Sequence, residues 1–441
     1  MNYHEAISYI SSTKKFGVNL GLDRTYKMLK LLDNPQDKIK CIHIAGTNGK
    51  GSTAAMITEI LLTAGYKVGM YTSPYIEEFE ERVQIDGQNI LKDDLSKVVT
   101  EVSHAAEKVL KMGYDNPTEF EIITCAMFLY FYKKKVDIAV IEVGLGGRLD
   151  STNVLQSFKV LNNSAGVILS IITSVSCDHM KVLGNTIDKI AFEKAGIIKE
   201  GVPVILYPQD EKVQKVIQDE CYKKNSRLIK VPNSCAKFIR NNDNFKQNVI
   251  VKTCSDVYNI ELSLLGQHQV LNCAAVILAC EELINYGLKI KKEHIIKALK
   301  NVKWIGRLEV LNKKPLTVID GAHNVDGIKN LVGSVKRHFK YNHMILIIGI
   351  LADKQVNKML EMIAPMAQKV LAVTPNNIRA ESASELKDAV KKYNLNCEAF
   401  DDYREAYDRA VSSCKLDDLL LICGSLYMIG GMRKIIIDKD K

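Results

Sequence analysis

Four short segments of this chain carry residue types and spacings that could handle a phosphate group. The first is the run Ile42-His43-Ile44-Ala45-Gly46-Thr47-Asn48-Gly49-Lys50-Gly51-Ser52-Thr53. A short apolar strand enters a turn with three glycines, and a lysine and two hydroxyls follow. Bare backbone N–H groups at a helix N-terminus would face an anion there, Lys50 would neutralise outer phosphate charge, and Ser52 or Thr53 could reach a magnesium ion. The usual pattern has Ser or Thr directly after Gly-Lys; here Gly51 intervenes.

The second segment is Glu142-Val143-Gly144-Leu145-Gly146-Gly147-Arg148-Leu149-Asp150. A carboxylate closing a strand is the usual second anchor for magnesium beside a phosphate loop, because hard oxygen ligands suit that ion. The third, ending Cys177-Asp178-His179, sets a histidine after an acid at a strand's carboxyl end. The fourth is Glu193-Lys194-Ala195-Gly196, a helix end with Gly196 as its cap. Read alone, Lys194 is a surface lysine, and Asp320-Gly321-Ala322-His323-Asn324 is a simple turn.

These segments need elements to hold them. Strands are expected at residues 41–45, 136–143, 167–173 and 203–207, and a helix at 54–64, giving a parallel sheet covered on both faces. Runs such as Ile138-Ala139-Val140-Ile141 fit strands buried on both sides. A second α/β region has strands at 316–319, 344–349, 369–373 and 419–423, and a helix at 384–392 capped by Ser384. A helix-rich stretch at 267–302 lies between, and Trp304-Ile305-Gly306-Arg307 reads as the linker. The loops past the carboxyl ends of such strands are where open sheets place ligands.

The bulk numbers set the class. The chain has 441 residues, enough for two or three domains, with 47% hydrophobic and 25% charged residues. No apolar run reaches bilayer-spanning length, and Met1-Asn2-Tyr3-His4-Glu5 lacks the character of a secretory signal, so the cytoplasm is the expected location, with no membrane partner. The 11 cysteines are scattered without a Cys-x-x-Cys pair, as expected of reduced thiols. The net charge of +9 suits an anionic substrate; with no arginine-rich patch interleaved with aromatics, no nucleic-acid partner is expected.

Together the segments resemble the Mur-type ATP-dependent amide ligases, in whose phosphate loop the extra glycine is normal. Within them, the chain is similar to folylpolyglutamate synthase/dihydrofolate synthase. The motifs, in order, are residues 46–52, Thr72-Ser73-Pro74, Glu142 through Asn153, Asp178-His179 with Leu183-Gly184, Glu193-Lys194-Ala195-Gly196, Gly266-Gln267-His268-Gln269 with Asn272, Gly306-Arg307-Leu308-Glu309, and Asp320 with Ala322-His323-Asn324. Tyr75 departs from the pattern, since many members have His after Ser-Pro, and Met180 replaces a common Thr.

The resemblance implies an α/β fold: an ATP-binding domain at residues 1–300 with a Mur-ligase-like parallel sheet and substrate loops, and a smaller Rossmann-like C-terminal domain at 306–441. It implies ATP and two magnesium ions. Gly49, Lys50, Gly51, Ser52 and Thr53 would hold phosphates, and Asn272, Arg307 and Asp320 the nucleotide. Ser52, Ser73, Glu142 and His179 would contact magnesium. Lys194 matches a position that is carbamylated in the family, and with Lys50 and His323 is assigned to catalysis. Gly21, Leu22, Asp23 and Arg24, then Thr118 and Phe120, then Leu149, Asp150 and Ser151 would meet the pterin substrate.

The implied reaction joins L-glutamate to dihydropteroate or to a folate through an acyl phosphate, releasing ADP and phosphate. The pattern favours both acceptors, and a monomer. Two alternatives share the phosphate loop: another Mur-type ligase, and a phosphate-loop ATPase without ligase activity.

Overall fold

The structure is a computed structural model and describes residues 1–439 except 18, 243 and 378. Its strands fall into three sheets. The first is built from β1 (Lys40–Ala45), β2 (Val68–Tyr71), β3 (Val83–Ile85), β4 (Gln88–Asn89), β5 (Ile138–Glu142), β6 (Gly166–Ile172), β7 (Val204–Leu206) and β8 (Leu228–Lys230). Their spatial order is β4-β3-β2-β5-β1-β6-β7-β8, parallel from β2 to β8, with an antiparallel hairpin at the β4 edge.

Both faces of this sheet are covered, which is why its strands are apolar throughout. Ile42, Ile44 and Val140 face helices Lys50–Thr63, Gln267–Asn285 and Lys292–Asn301. Cys41, Ala139 and Ile141 face helices Tyr3–Ser12, Lys92–Lys111 and Glu119–Lys133. Ile42 and Ile44 are wholly buried, each worth about 1.5–3 kcal/mol by transfer from water.

Strands β9 (Ala236–Asn241), β10 (Gln247–Lys252) and β11 (Val257–Leu262) form an antiparallel sheet whose inward residues Val249, Val251, Tyr258 and Ile260 join the first core. The C-terminal lobe is a mixed sheet of β12 (Glu309–Lys313), β13 (Leu316–Ile319), β14 (Met344–Ile348), β15 (Lys369–Val373), β16 (Cys397–Phe400) and β17 (Leu419–Cys423), in the order β12-β13-β17-β14-β15-β16. Only β12 runs antiparallel to its neighbour in this sheet.

Several boundaries differ from the sequence-based expectation. The first helix after β1 starts at Lys50, not at residue 54, because Gly49 takes the left-handed N-cap conformation (φ 91°) and the lysine and hydroxyl residues form the first turn. Ser382, not Ser384, caps helix Ala383–Val390: it forms a reciprocal capping box with Glu385. The stretch 267–302 is two helices, broken at Gly287, which has a φ of 110°. Among the described residues, no helix is long and apolar enough to cross a membrane.

Candidate active site

In the first sheet β1 lies between β5 and β6, so the loops leaving these three strands converge at the point where the strand order reverses. The loops after β13, β14 and β17 face them from the C-terminal lobe. Between the lobes lies a cleft of about 410 Å³.

The phosphate loop is shaped by close approach. A Cβ on Gly46 (φ 151°) would lie 1.8 Å from Thr173 Oγ1, and one on Gly49 would lie 2.9 Å from Asn272 Oδ1. One on Gly51 would lie 3.0 Å from the indole of Trp304, the linker residue, which explains why this position is a glycine. Thr53 N donates to Gly49 O at 2.9 Å as the first intrahelical bond. The N–H groups of Lys50, Gly51 and Ser52 precede that bond and are the open donors of a helix start. Thr53 itself lies fully buried beneath the loop, outside the cleft lining.

Lys50 Nζ donates to Thr47 O at 3.3 Å and lies 3.7 Å from Glu142. Glu142 is buried, and its Oε2 accepts from Ser73 N at 3.3 Å. Burial raises its carboxyl pKa, against the pull of Lys50. Ser52 Oγ accepts from Gln269 Nε2 at 3.0 Å, and Gln269 Oε1 from Asn272 Nδ2 at 3.0 Å. Asn272 thus stands behind Gln269, with its amide also against Gly49 of the phosphate loop.

Lys194 is not a surface residue. It is 3% exposed, and its Nζ donates to Gly46 O at 2.8 Å. Burial, reinforced by Lys50, pushes its pKa down to about 7. The glycines of two motifs bring its helix in: a Cβ on Gly196 would lie 2.3 Å from Arg148 Cα, and one on Gly147 2.7 Å from Glu193 O.

Across the cleft, Asp320 accepts from Leu308 N (2.9 Å) and Ala322 N (2.8 Å), so its carboxylate ties the linker exit to the β13 loop. Arg307 lines the cleft beside it. His323 Nδ1 lies 2.8 Å from Gly321 O, so the proton sits on Nδ1 and Nε2 is free. Burial holds His323 and His179 down at about 4. Sequence reasoning missed Lys354, Arg379 and Arg82, which also line the cleft; they stand in segments without a motif.

Thr118, Phe120, Leu149, Asp150 and Ser151 line the same cleft. Residues 21–24 do not. Arg24 turns inward, its Nε 3.0 Å from Glu121 Oε1 and its terminal nitrogen donating to Asn19 O at 2.6 Å. It is Gly17, Asn19 and Leu20 that reach the lining. Tyr75 packs edge-on against Phe79, with Arg82 over both rings, and Met180 begins the short helix Met180–Leu183.

The donor set suits a nucleotide and a hard cation. Among the described residues, no group of three or more His, Cys, Asp or Glu side chains could hold a metal by itself. The buried Glu142 carboxylate, with a lysine at 3.7 Å as its charged partner, and the Ser52 hydroxyl fit magnesium, which keeps waters and takes only one or two protein oxygens beside phosphates.

Comparison with known proteins agrees with this geometry. The Mur ligase middle domain pattern matches residues 44–280, and the Mur ligase glutamate ligase domain matches residues 306–426. The dihydrofolate synthase/folylpolyglutamate synthase of Bacillus subtilis is 36% identical over 436 residues, covering 98% of each chain. The folylpolyglutamate synthase of Lacticaseibacillus casei is 33% identical, covering 99% of each. Among solved structures, the Mycobacterium tuberculosis folylpolyglutamate synthase complexed with ADP and AMPPCP superposes with a TM-score of 0.89 at 26% identity, over 99% of each chain. The E. coli FolC complex with DHPP and ADP gives 0.87 at 26%, over 100% of this chain and 99% of that one. With both domains matched in order and relatives alike from end to end, the chain belongs to the dihydrofolate synthase/folylpolyglutamate synthase family of Mur ligases.

Proposed function

We propose that this chain uses ATP to add L-glutamate to dihydropteroate and to the γ-carboxylate of folates. The observation that carries the reading is the cleft itself. A phosphate loop, the buried Glu142 and Lys194, an acceptor pocket at Thr118, Phe120 and Asp150, and the Arg307–His323 wall of the second lobe all open into one space. It is the layout that a three-substrate ligation needs, and the chain's full-length relatives include enzymes named for this activity. The two lobes correspond to domains at residues 1–300 and 306–441, acting as a monomer in the cytoplasm.

The chemistry runs in two steps. A carboxylate oxygen of the acceptor attacks the γ-phosphorus of ATP; the bond to the ADP oxygen breaks, leaving an acyl phosphate and ADP. The amine of glutamate then attacks the acyl carbon. Phosphate leaves with the C–O electron pair, and the amine's surplus proton goes to a base.

The residues divide this work. The N–H groups of Gly49, Lys50 and Gly51 and the Lys50 ammonium hold the transferring phosphate and stabilise its charge. Arg307 and Asp320 shape the nucleotide wall, and Asn272 keeps Gln269 on Ser52. His323 presents a free Nε2 to take the proton, and Asp178, 3.9 Å away, stabilises the imidazolium that results. Closure of the cleft excludes the water that would hydrolyse the acyl phosphate.

Magnesium, when bound, neutralises charge on the phosphate oxygens. Ser52 and Glu142 would hold one ion, with Ser73 and His179 on the same wall as further ligands for a second. The Lys194 amine, in its uncharged form, would add carbon dioxide and lose a proton, and the resulting carbamate would give that site an anionic oxygen donor in place of an amine. On the acceptor side, Leu149, Asp150, Ser151, Thr118 and Phe120 hold the pterin.

A phosphate-release assay tests the reading. ADP and phosphate should appear in a one-to-one ratio with consumed glutamate, and only when acceptor and glutamate are both present. Steady ATP hydrolysis indifferent to glutamate would overturn it.

A further inference from the structure

We propose that His43 is a positioning residue for the acceptor substrate, acting through the Thr152 hydroxyl on the Asp150 carboxylate. The inference rests on the reading above that Asp150 meets the acceptor's pterin.

His43 sits in the middle of β1, wholly buried, in register with Ile141 on one side and Ser170 on the other. A polar ring there needs a partner. Its Nε2 lies 2.9 Å from Thr152 Oγ1, itself wholly buried. Thr152 Oγ1 lies 2.5 Å from Asp150 Oδ1, which also accepts from Thr152 N at 3.0 Å, while Asp150 Oδ2 accepts from Leu145 N at 2.8 Å. Asp150 stands in the cleft wall between Leu149 and Ser151. One chain of contacts therefore runs from the sheet interior to the acceptor pocket.

A hydroxyl has a single proton, and this fixes the direction of the chain. If Thr152 donates to Asp150, its oxygen must accept from His43. The histidine then carries its proton on Nε2 and leaves Nδ1 bare. Nδ1 is buried and has no hydrogen-bond partner. A bare lone pair there costs less than an orphaned N–H. The opposite arrangement would need a protonated Asp150 donating to Thr152, and would put an N–H on the partnerless Nδ1.

His43 thus favours the ionised, acceptor-only form of Asp150 and holds its plane. Burial alone pushes the Asp150 carboxyl pKa up, so donors must hold that form in place. Burial, helped by Lys199, pushes His43 well below its usual range, which keeps it neutral with one N–H to give. An acceptor-only carboxylate in a pocket wall selects ligands that present N–H donors, as an amino-substituted heterocycle does. The phosphate loop has no part in this chain, so the effect falls on the acceptor and not on ATP.

The test uses full-length protein and four variants: Thr152→Val, His43→Leu, His43→Gln and Asp150→Asn. Thr152→Val and His43→Leu should each raise the KM for dihydropteroate about tenfold and leave the KM for ATP within about twofold. His43→Gln, whose side-chain amide donates in place of Nε2, should restore most of the loss. In wild-type protein labelled with 15N-histidine, the resonance that vanishes in His43→Gln should be that of a neutral ring protonated on Nε2. If Asp150→Asn raises the dihydropteroate KM but Thr152→Val does not, the relay is wrong and the reading of Asp150 stands. If Asp150→Asn has no effect, that reading fails and takes the relay with it. An Nδ1-protonated ring in the wild type, or equal rises in both KM values, would also overturn the proposal; through-bond correlation of the ring to the His43 backbone assigns it in the wild-type spectrum even if no variant folds.

Discussion

Asp178 and Lys354 face each other across the cleft and form an ion pair of 2.6 Å, each side chain less than a tenth exposed. Asp178 also accepts from Asn324 Nδ2 at 3.1 Å, and Asn324 exchanges hydrogen bonds with Asn48 of the phosphate loop. Burial by itself would raise the Asp178 carboxyl, but His179, Lys354 and His323 together hold it well below the usual carboxylate range. Since both histidines are neutral near pH 7, Lys354 is the charge that does so there. The pair joins the two lobes beside the phosphate loop.

Lys354→Met should therefore act on closure more than on folding. Opening the lobes lets water solvate the abandoned Asp178, so stability changes little, while the closed state loses its charge partner. A fall in kcat of about tenfold to 100-fold is expected, with an unchanged melting temperature and a larger radius of gyration by X-ray scattering in the presence of ATP. An unchanged kcat would remove Lys354 from the account.

Gly46→Ala places a methyl 1.8 Å from Thr173 Oγ1 and 3.2 Å from that residue's carbonyl carbon, at a φ of 151°. Strain in a packed turn of this kind costs about 1–3 kcal/mol. The variant should melt several degrees lower and lose the stabilisation that ADP gives the wild type. Differential scanning fluorimetry with and without ADP measures both.

Arg24 and Glu121 form a buried pair that fixes the Asn19 carbonyl and the Thr118 cap. Arg24→Met strands the Glu121 carboxylate and should cost about 3–5 kcal/mol. The double variant Arg24→Met/Glu121→Leu should recover part of that loss. A double-mutant cycle by urea denaturation reads the coupling, and additivity would show that the pair does not interact.

The lowered Lys194 pKa sets a pH dependence. With a folded value of about 7 against an ordinary 10.5, the amine is charged below about 7 and neutral above it. Only the neutral amine adds carbon dioxide, so activity that needs the carbamate should rise as pH passes upward through about 7. The folded state also binds fewer protons than the unfolded one between these values, so stability gains with pH across that window. In degassed buffer at pH 7 the rate should drop, and bicarbonate should restore it. Lys194→Arg, which stays charged, should lose activity without response to bicarbonate.

Much of this arrangement was legible in the residues. Apolar runs marked β1, β5, β6, β13, β14, β15 and β17, because strands buried on both faces have no polar alternation to blur them. The antiparallel sheet of β9 to β11 was not legible. In β11 the inward Tyr258, Ile260 and Leu262 alternate with Asn259 and Glu261, and in β10 the apolar run Val249-Ile250-Val251 is only three residues long, so neither strand has the long continuous apolar run that marks a strand of the first sheet. At the site, the phosphate loop and Glu142 declared themselves by local chemistry. Lys194 did not, since its burial depends on Gly147 and Gly196 letting two distant segments touch. Lys354 gave no local sign either: its partner lies 176 positions away.

The central claim is that one cleft joins glutamate to two kinds of acceptor at the expense of ATP. Mass spectrometry tests it most directly. The purified protein would be incubated with Mg-ATP and L-glutamate, and with dihydropteroate or tetrahydrofolate monoglutamate in separate reactions. The account predicts a product one glutamyl unit heavier in both reactions, and none with Lys50→Ala, whose fold should persist by circular dichroism. Neither product forming while ATP is consumed, or Lys50→Ala remaining active, would contradict it.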